Sequence, residues 1–454
     1  MMGELKMKSK MRRTLCTLLA VIMLVGVCGI TAFADDAEAS VNQYKYYAVL
    51  GDSIASAYGT DGYDAALLPG QDICDGNYVP ESYAAIVGDA IGAETIDMRS
   101  HSGWRTYELL NEIGCGDLAA VDTMYGDYYN SSFFRRALNY ISDAELAGEG
   151  GRIINAIESA DFITLNIGTN DLFSYALTVT ANKVSDVFED SGIIDIENMQ
   201  GIEDLLVAFN KLLSIASAEQ YKGILLEFVS AVENGFAMYK QNMPILIDKI
   251  KELNPDAKLV VIGMSNPVNI TLDLSKDIGI DPYLMSDLLM TRANTFTKNL
   301  CNEKGCMFVD MTGTEYYGIG VLDTDKLLAG DESVKYSAIK IVHPNAAGHA
   351  FMAQQILTAL KSEAAQIVVT ARYSTYIKRN TLNWNTVDGA NRYYVYRSSS
   401  PNGNYYFLGS TDKDVFYDYA TLFGHTYYYK VCAFMNPCGS IRTPFSEPVA
   451  LRAR

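Results

Sequence analysis

Tyr46–Leu50 is a continuous apolar run that stops abruptly at Gly51-Asp52-Ser53. A short run of this kind, closed by a turn signal, reads as a buried strand. The small, helix-compatible residues after Ser53 read as the first turn of a helix. A serine at such a junction lies at the carboxyl edge of a parallel sheet, where backbone N–H groups converge and ligands bind. That is a good place for a nucleophile, although Gly-Asp-Ser alone more often marks only a turn.

The chain beyond it repeats the alternation of strand and helix. Pro80 opens a helix whose Tyr83, Ile86, Val87 and Ile91 share one face, and Glu94–Met98 is a short strand. Ser100-His101-Ser102-Gly103 then leads into a helix from about Trp104 to Ile113, and residues 116–150 are polar and irregular. A helix over Arg152–Ala160 precedes the buried strand Phe162–Gly168, which ends in Thr169-Asn170-Asp171. Lys258–Met264 and Met307–Met311 supply two more strands. The accompanying helices are Glu219–Leu253, with a break or kink expected at Pro244, one from Pro282 to about Glu303, and one from Asn345 to about Lys361. Strands alternating with helices predict an α/β fold with a parallel sheet. The interval from Asp171 to Lys258 far exceeds the roughly 30 residues of a βαβ unit, so a helical insertion is expected over about 172–253. Near Gln366 the helical period vanishes. Tyrosine-rich alternating runs such as "RYYVYRS" and "TYYYKVCAF", separated by turn signals, predict an all-β sandwich over 366–454.

Residues 1–34 read as a secretory signal peptide: five basic residues, an apolar core from Thr17 to Ile30, and the cleavage signal Ala32-Phe33-Ala34. The apolar run is short for a membrane anchor, and Val27 before Cys28 does not suit a lipoprotein. The mature chain is expected to be secreted, beginning near Asp35. The leader carries five basic residues and one acidic, so its loss takes the formal charge from −18 to −22. A surface this acidic, with no basic cluster, excludes nucleic-acid binding. Six of the eight cysteines remain after export: Cys74, Cys115, Cys301, Cys306, Cys432 and Cys438. An even count outside the cell favours disulfides, and proximity in the chain suggests Cys74–Cys115, Cys301–Cys306 and Cys432–Cys438 among the 15 possible pairings. There is no C-x-x-C or H-E-x-x-H and only four histidines, so neither a metal site nor a cofactor is expected.

Four short stretches stand on four loops in this order: Gly51-Asp52-Ser53, Ser102-Gly103, Gly168-Thr169-Asn170-Asp171 and His343-Pro344-Asn345-x-x-Gly348-His349. Together they resemble the SGNH (GDSL-type) hydrolase superfamily, over about residues 45–361, and most of all its secreted bacterial esterase and lipase branch. The resemblance implies a flavodoxin-like five-stranded parallel sheet flanked by helices. It implies Ser53 as nucleophile and His343 as base, with the Ser53 N–H, the Gly103 N–H and the Asn170 amide as oxyanion donors. The chemistry agrees, because a hydroxyl needs a base to become nucleophilic and the oxyanion needs preset donors. Gly103 also suits a tight turn, and Asn170-Asp171 a helix cap. Asp52 and Asp171 read as turn and cap carboxylates, His349 as packing or support rather than base, and His101 either as close enough to Gly103 to touch substrate or as an ordinary loop histidine with no such role. The family usually places an Asp three residues before its histidine. Here Lys340 stands there, and a lysine cannot accept the imidazole N–H. A backbone carbonyl is the favoured replacement, with Asp331 or Asp310 behind it. The C-terminal segment resembles fibronectin type III, with Trp384 and Tyr427–Tyr429 at that family's core positions.

The implied activity is a secreted serine esterase or lipase acting on a lipid, small ester or acylated carbohydrate, as a monomer, with possible carbohydrate or surface contact through the β-domain. The rivals are an acyltransferase on the same scaffold and a binding protein whose catalytic site is impaired at Lys340. The insertion after Asp171 reads equally as a cover for an acyl pocket and as an elaborated crossover.

Overall fold

The computed structural model describes residues 44–66, 76–120, 148–173, 175–176, 218–266, 282–311, 343–435 and 441–454. The chain divides into Met1–Asn42, outside the described residues, and Gln43–Arg454, which holds every element below. The expected leader and its cleavage site, and residues 174 and 177–217 of the expected insertion, therefore lie outside the described residues. Among the described residues no helix is long and apolar enough to cross a membrane.

Strand β1 (Tyr46–Gly51) pairs in parallel with β2 (Thr95–Ser100) on one side and β3 (Phe162–Asn166) on the other. β4 (Lys258–Ile262) and β5 (Met307–Val309) complete a five-stranded sheet of order β2-β1-β3-β4-β5. The order reverses between β1 and β3. In open α/β sheets that reversal opens a crevice at the carboxyl ends of the strands. Tyr47–Leu50 have no exposed surface, as expected of a strand covered on both faces.

The helices are α1 (Asp61–Ala65), α2 (Tyr83–Ile91), α3 (Thr106–Glu112), α4 (Glu149–Ser159), α5 (Ala218–Leu253), α6 (Pro282–Lys304) and α7 (Ala346–Ala364). On one face of the sheet Ala48, Leu50, Ile163, Leu165, Leu259 and Val261 form a core with α3, α4 and α5. Their i, i+2 spacing is the period of a strand, while Val232, Phe236, Tyr239, Met243, Leu246 and Ile250 of α5 follow the period of a helix. That stripe explains why α5 is one helix with Pro244 inside it rather than two: burial on both sides of the proline offsets the roughly 3 kcal/mol it costs. α2 packs against α7.

Strands β6 (Val369–Ser374), β7 (Arg379–Trp384) and β10 (Val415–Asp418) form one antiparallel sheet. A second holds β8 (Arg392–Ser398), β9 (Tyr406–Thr411), β11 (Thr426–Phe434) and β12 (Val449–Arg452). Together they make a β-sandwich with its own core, in which Trp384 and Tyr429 are buried among Leu382, Tyr393, Val395 and Val431. The Tyr429 hydroxyl accepts from Asn380 and donates to Asp418, which satisfies a polar group inside that core. Tyr376, Tyr406 and Tyr419 are exposed, so the tyrosines divide between packing and surface.

Candidate active site

The site starts from how β1 ends. Gly51 has φ 156°, and a Cβ there would lie 2.2 Å from the Asn166 carbonyl oxygen, so only glycine lets β1 and β3 close up at their carboxyl ends. The Asp52 N–H donates to that same oxygen at 3.1 Å, and the Asp52 carboxylate accepts the Ile54 N–H at 3.0 Å. Asp52 is thus a turn carboxylate. Residues 53–59 are hydrogen-bonded turns rather than the expected helix, because Ala57 takes a left-handed φ of 62° and Tyr58 N–H reaches back to Ser53 O. Helix begins only at α1, where the Thr60 hydroxyl accepts from Tyr63 N–H.

Ser53 sits on that turn, and His343 arrives from the far end of the chain. His343 precedes α7, whose first turn is capped by Asn345 accepting Gly348 N–H at 2.9 Å. Its Nε2 lies 2.9 Å from Ser53 Oγ, and the edge of Tyr58 packs on its ring at 5.0 Å. Lys340 and Asp331 lie outside the described residues. His349, one and a half turns further on, is fully buried. Burial first and the nearby His343 charge second hold it down to about 3, so it is neutral and no rival base. Its Nδ1 accepts the Tyr83 N–H at 3.2 Å.

The loop after β2 carries Ser102 and Gly103, the latter at φ 80°. His101 enters it by donating its N–H to Gly51 O, which sets this loop beside the serine turn. The His101 side chain is buried on Trp104, 4.3 Å between ring centroids, with Nε2 3.1 Å from Glu149. Glu149 also pairs with Arg152 at 2.5 Å and Arg99 at 3.4 Å. Burial pushes the Glu149 carboxyl up, but the hydrogen bond and charge of His101, then the Arg152 hydrogen bond and the Arg99 charge, outweigh it and hold it at about 2. The loop after β3 is the first turn of a helix at 169–173, and Asn170 Nδ2 donates to Trp104 O at 3.0 Å. Asp171 next to it is fully buried. It accepts the Thr106 N–H at 2.9 Å and the Thr106 hydroxyl, and burial, against those bonds, pushes it up to about 7.

The structure thus brings Ser53, His343, the Gly103 loop and Asn170 to the carboxyl ends of three adjacent strands. Sequence reasoning missed Glu149, Thr106 and Tyr58. Glu149 stands in a stretch without periodicity, and the T in "GWRTYE" looks like an ordinary helix start.

Cys115, Cys301, Cys306 and Cys432 stand as thiols in the structure. Cys74 and Cys438 lie outside the described residues. Cys301–Cys306 is the one expected pairing that falls wholly within them, and there the two thiols face each other unbonded. The hydrogen bond between them raises Cys301 and lowers Cys306, which Lys251 and Lys258 lower further. No cluster of histidine, cysteine, aspartate and glutamate suited to a metal occurs among the described residues.

Among solved structures, an extracellular lipase from Streptomyces rimosus is 15% identical, with 70% of this chain and 99% of that chain covered and a TM-score of 0.37. Phospholipase A1 from Streptomyces albidoflavus is 16% identical over 69% of this chain and 98% of that one, TM-score 0.37. A Fn3-like protein from Clostridium thermocellum is 28% identical over 19% of this chain and 91% of that one, TM-score 0.18. No curated protein matches the chain. The GDSL-like lipase/acylhydrolase family matches residues 49–351, well over half of the chain and all four loops of the site, and the chain belongs to that family.

Proposed function

We propose that the chain is an exported serine esterase that cleaves carboxylic esters through an acyl-enzyme on Ser53. The observation that carries this reading is the 2.9 Å contact between His343 Nε2 and Ser53 Oγ at the carboxyl edge of the sheet. In the reaction, Ser53 Oγ attacks the ester carbonyl carbon while its proton passes to His343 Nε2. The carbonyl oxygen becomes an oxyanion facing the Ser53 and Gly103 N–H groups and the Asn170 amide. His343 then protonates the leaving alcohol. Water, deprotonated by the same imidazole, releases the acid from Ser53.

The experiment is a series of p-nitrophenyl esters from acetate upward, run on the mature protein. Ser53→Ala and His343→Ala are expected to abolish turnover with the fold intact, and Asn170→Ala to lower kcat by about 10²–10³. Folded Ser53→Ala protein that still turns over would sink the reading. Adding excess sugar alcohol separates transfer from hydrolysis, and the chain-length profile narrows the acyl group. Export is tested by fractionating cells expressing the full chain; a protein retained in the cytoplasm with its leader uncleaved counts against it.

A further inference from the structure

The Thr169–Asp171 turn holds the Ser102–Arg105 loop at two points, and only one of them belongs to an oxyanion residue. Asn170 donates to Trp104 O at 3.0 Å. Asp171 takes both donors of Thr106, the first residue of α3 and three beyond Gly103. The Thr106 hydroxyl in turn accepts from Asn242 Nδ2 at 3.1 Å, which turns its own hydrogen toward Asp171. Asn242 is anchored independently, accepting Ala120 N–H at 2.7 Å and donating to Ala120 O at 3.1 Å. Behind Asp171, α5 comes so close at Gly235 that a Cβ there would lie 2.1 Å from Asp171 O. A hydroxyl or amide would cap a helix at far less desolvation cost than a sealed carboxylate. What the carboxylate adds is two acceptors in one plane for two donors of one residue.

We propose that Asp171 is a positioning residue of the ester-cleaving site: through Thr106 it fixes the loop so that the Gly103 N–H and the Asn170 amide converge on one point. This rests on the esterase reading. Removing the carboxylate leaves both donors of Thr106 without an acceptor and frees the loop to drift relative to Asn170. A drift of even about 1 Å at a preset donor lowers the rate by roughly a hundredfold.

The test uses p-nitrophenyl acetate turnover and the rate of covalent labelling by a fluorophosphonate, with thermal melts on each variant. Asp171→Ala is expected to lower kcat about 10–100-fold with KM within about twofold, and to slow labelling in parallel. Asp171→Asn, which keeps one acceptor, recovers part of the loss. The double variant with Asn170→Ala falls short of the product of the two single losses by about tenfold, because both act on the same donors. Thr106→Val, which removes only the hydroxyl, lowers kcat by a smaller factor and serves if Asp171→Ala does not fold. Folded Asp171→Ala or Thr106→Val with unchanged kcat overturns the proposal, as does a double variant that loses the full product. A wild-type protein that neither turns over esters nor takes the label defeats the esterase reading itself, and this proposal with it.

Discussion

Glu149 is a buried carboxylate set between His101, Arg99 and Arg152. Its carboxyl is held at about 2 against an ordinary 4.5, so the native state favours the ionised form. The sign follows from linkage: the unfolded chain takes up a proton near 4.5 and the native chain only near 2. The stabilisation is therefore complete above about pH 4.5 and fades as pH falls toward 2. Glu149→Gln is expected to lower stability by about 2–3 kcal/mol at pH 7, and the gap to wild type should close by pH 2–2.5. Urea melts at pH 7, 4 and 2.5 check this; a gap that is constant with pH would mean the carboxylate is not what stabilises. His101 shows how much of the site was legible at this scale. Its place beside Gly103 follows from sequence, yet its side chain is packed on Trp104 and Glu149 rather than offered to substrate. Its partner stands 48 residues away, and no local pattern announces a contact of that kind.

At the scale of elements, α7 brings His343 to Ser53 and is itself tied to α2. The His349 imidazole accepts the first N–H of α2 and lies parallel to the Tyr83 ring, 6.0 Å between centroids at 15°. It is held down to about 3, so acid favours the unfolded chain, which protonates near 6.5. This contribution is complete above pH 6.5 and is lost as pH falls from there to about 3. His349→Phe leaves a buried N–H unpaired and is expected to cost about 1–3 kcal/mol at pH 7. His349→Gln, which offers an oxygen instead, is expected to cost less and to flatten the dependence of Tm on pH between 6.5 and 3. An unaltered pH dependence in His349→Gln would show that His349 does not titrate as argued. Strands and helices were largely legible because burial imposes their periods: the "YYAVL", "FITLN" and "KLVVI" runs are central strands for the reason they are apolar. Where the reading failed, packing overrode a local signal. Of the break or kink expected at Pro244 the break does not occur, and the small, helix-compatible residues after Ser53 turn instead because the chain must swing back at Ala57.

For the molecule as a whole, the sandwich core shares no residue with the core formed by α3, α4 and α5 on the parallel sheet. A chain ending after Ala365 is therefore expected to hydrolyse p-nitrophenyl acetate within about twofold of the full chain. A collapse of activity in the soluble truncated protein would show that the two parts depend on each other. If the chain is exported as proposed, oxidation outside the cell adds a second expectation: the secreted protein, mapped without reduction, should show the Cys301 and Cys306 thiols, which already meet, joined. Two alkylatable thiols there in secreted material would argue against that pairing.

The close approach of α5 to Asp171 has a consequence for anyone engineering heat resistance into this enzyme. Replacing helical glycines by alanine commonly stiffens a helix by up to about 1 kcal/mol. Gly223, on the same helix with no atom of the described residues within 4 Å of where a methyl would go, fits that recipe. Gly235 inverts it, because a methyl there would meet the Asp171 carbonyl at 2.1 Å and has to push either α5 or the turn that carries Asn170. Two textually identical substitutions, twelve positions apart on one helix, should thus move the melting temperature in opposite directions, and only Gly235→Ala should slow ester turnover.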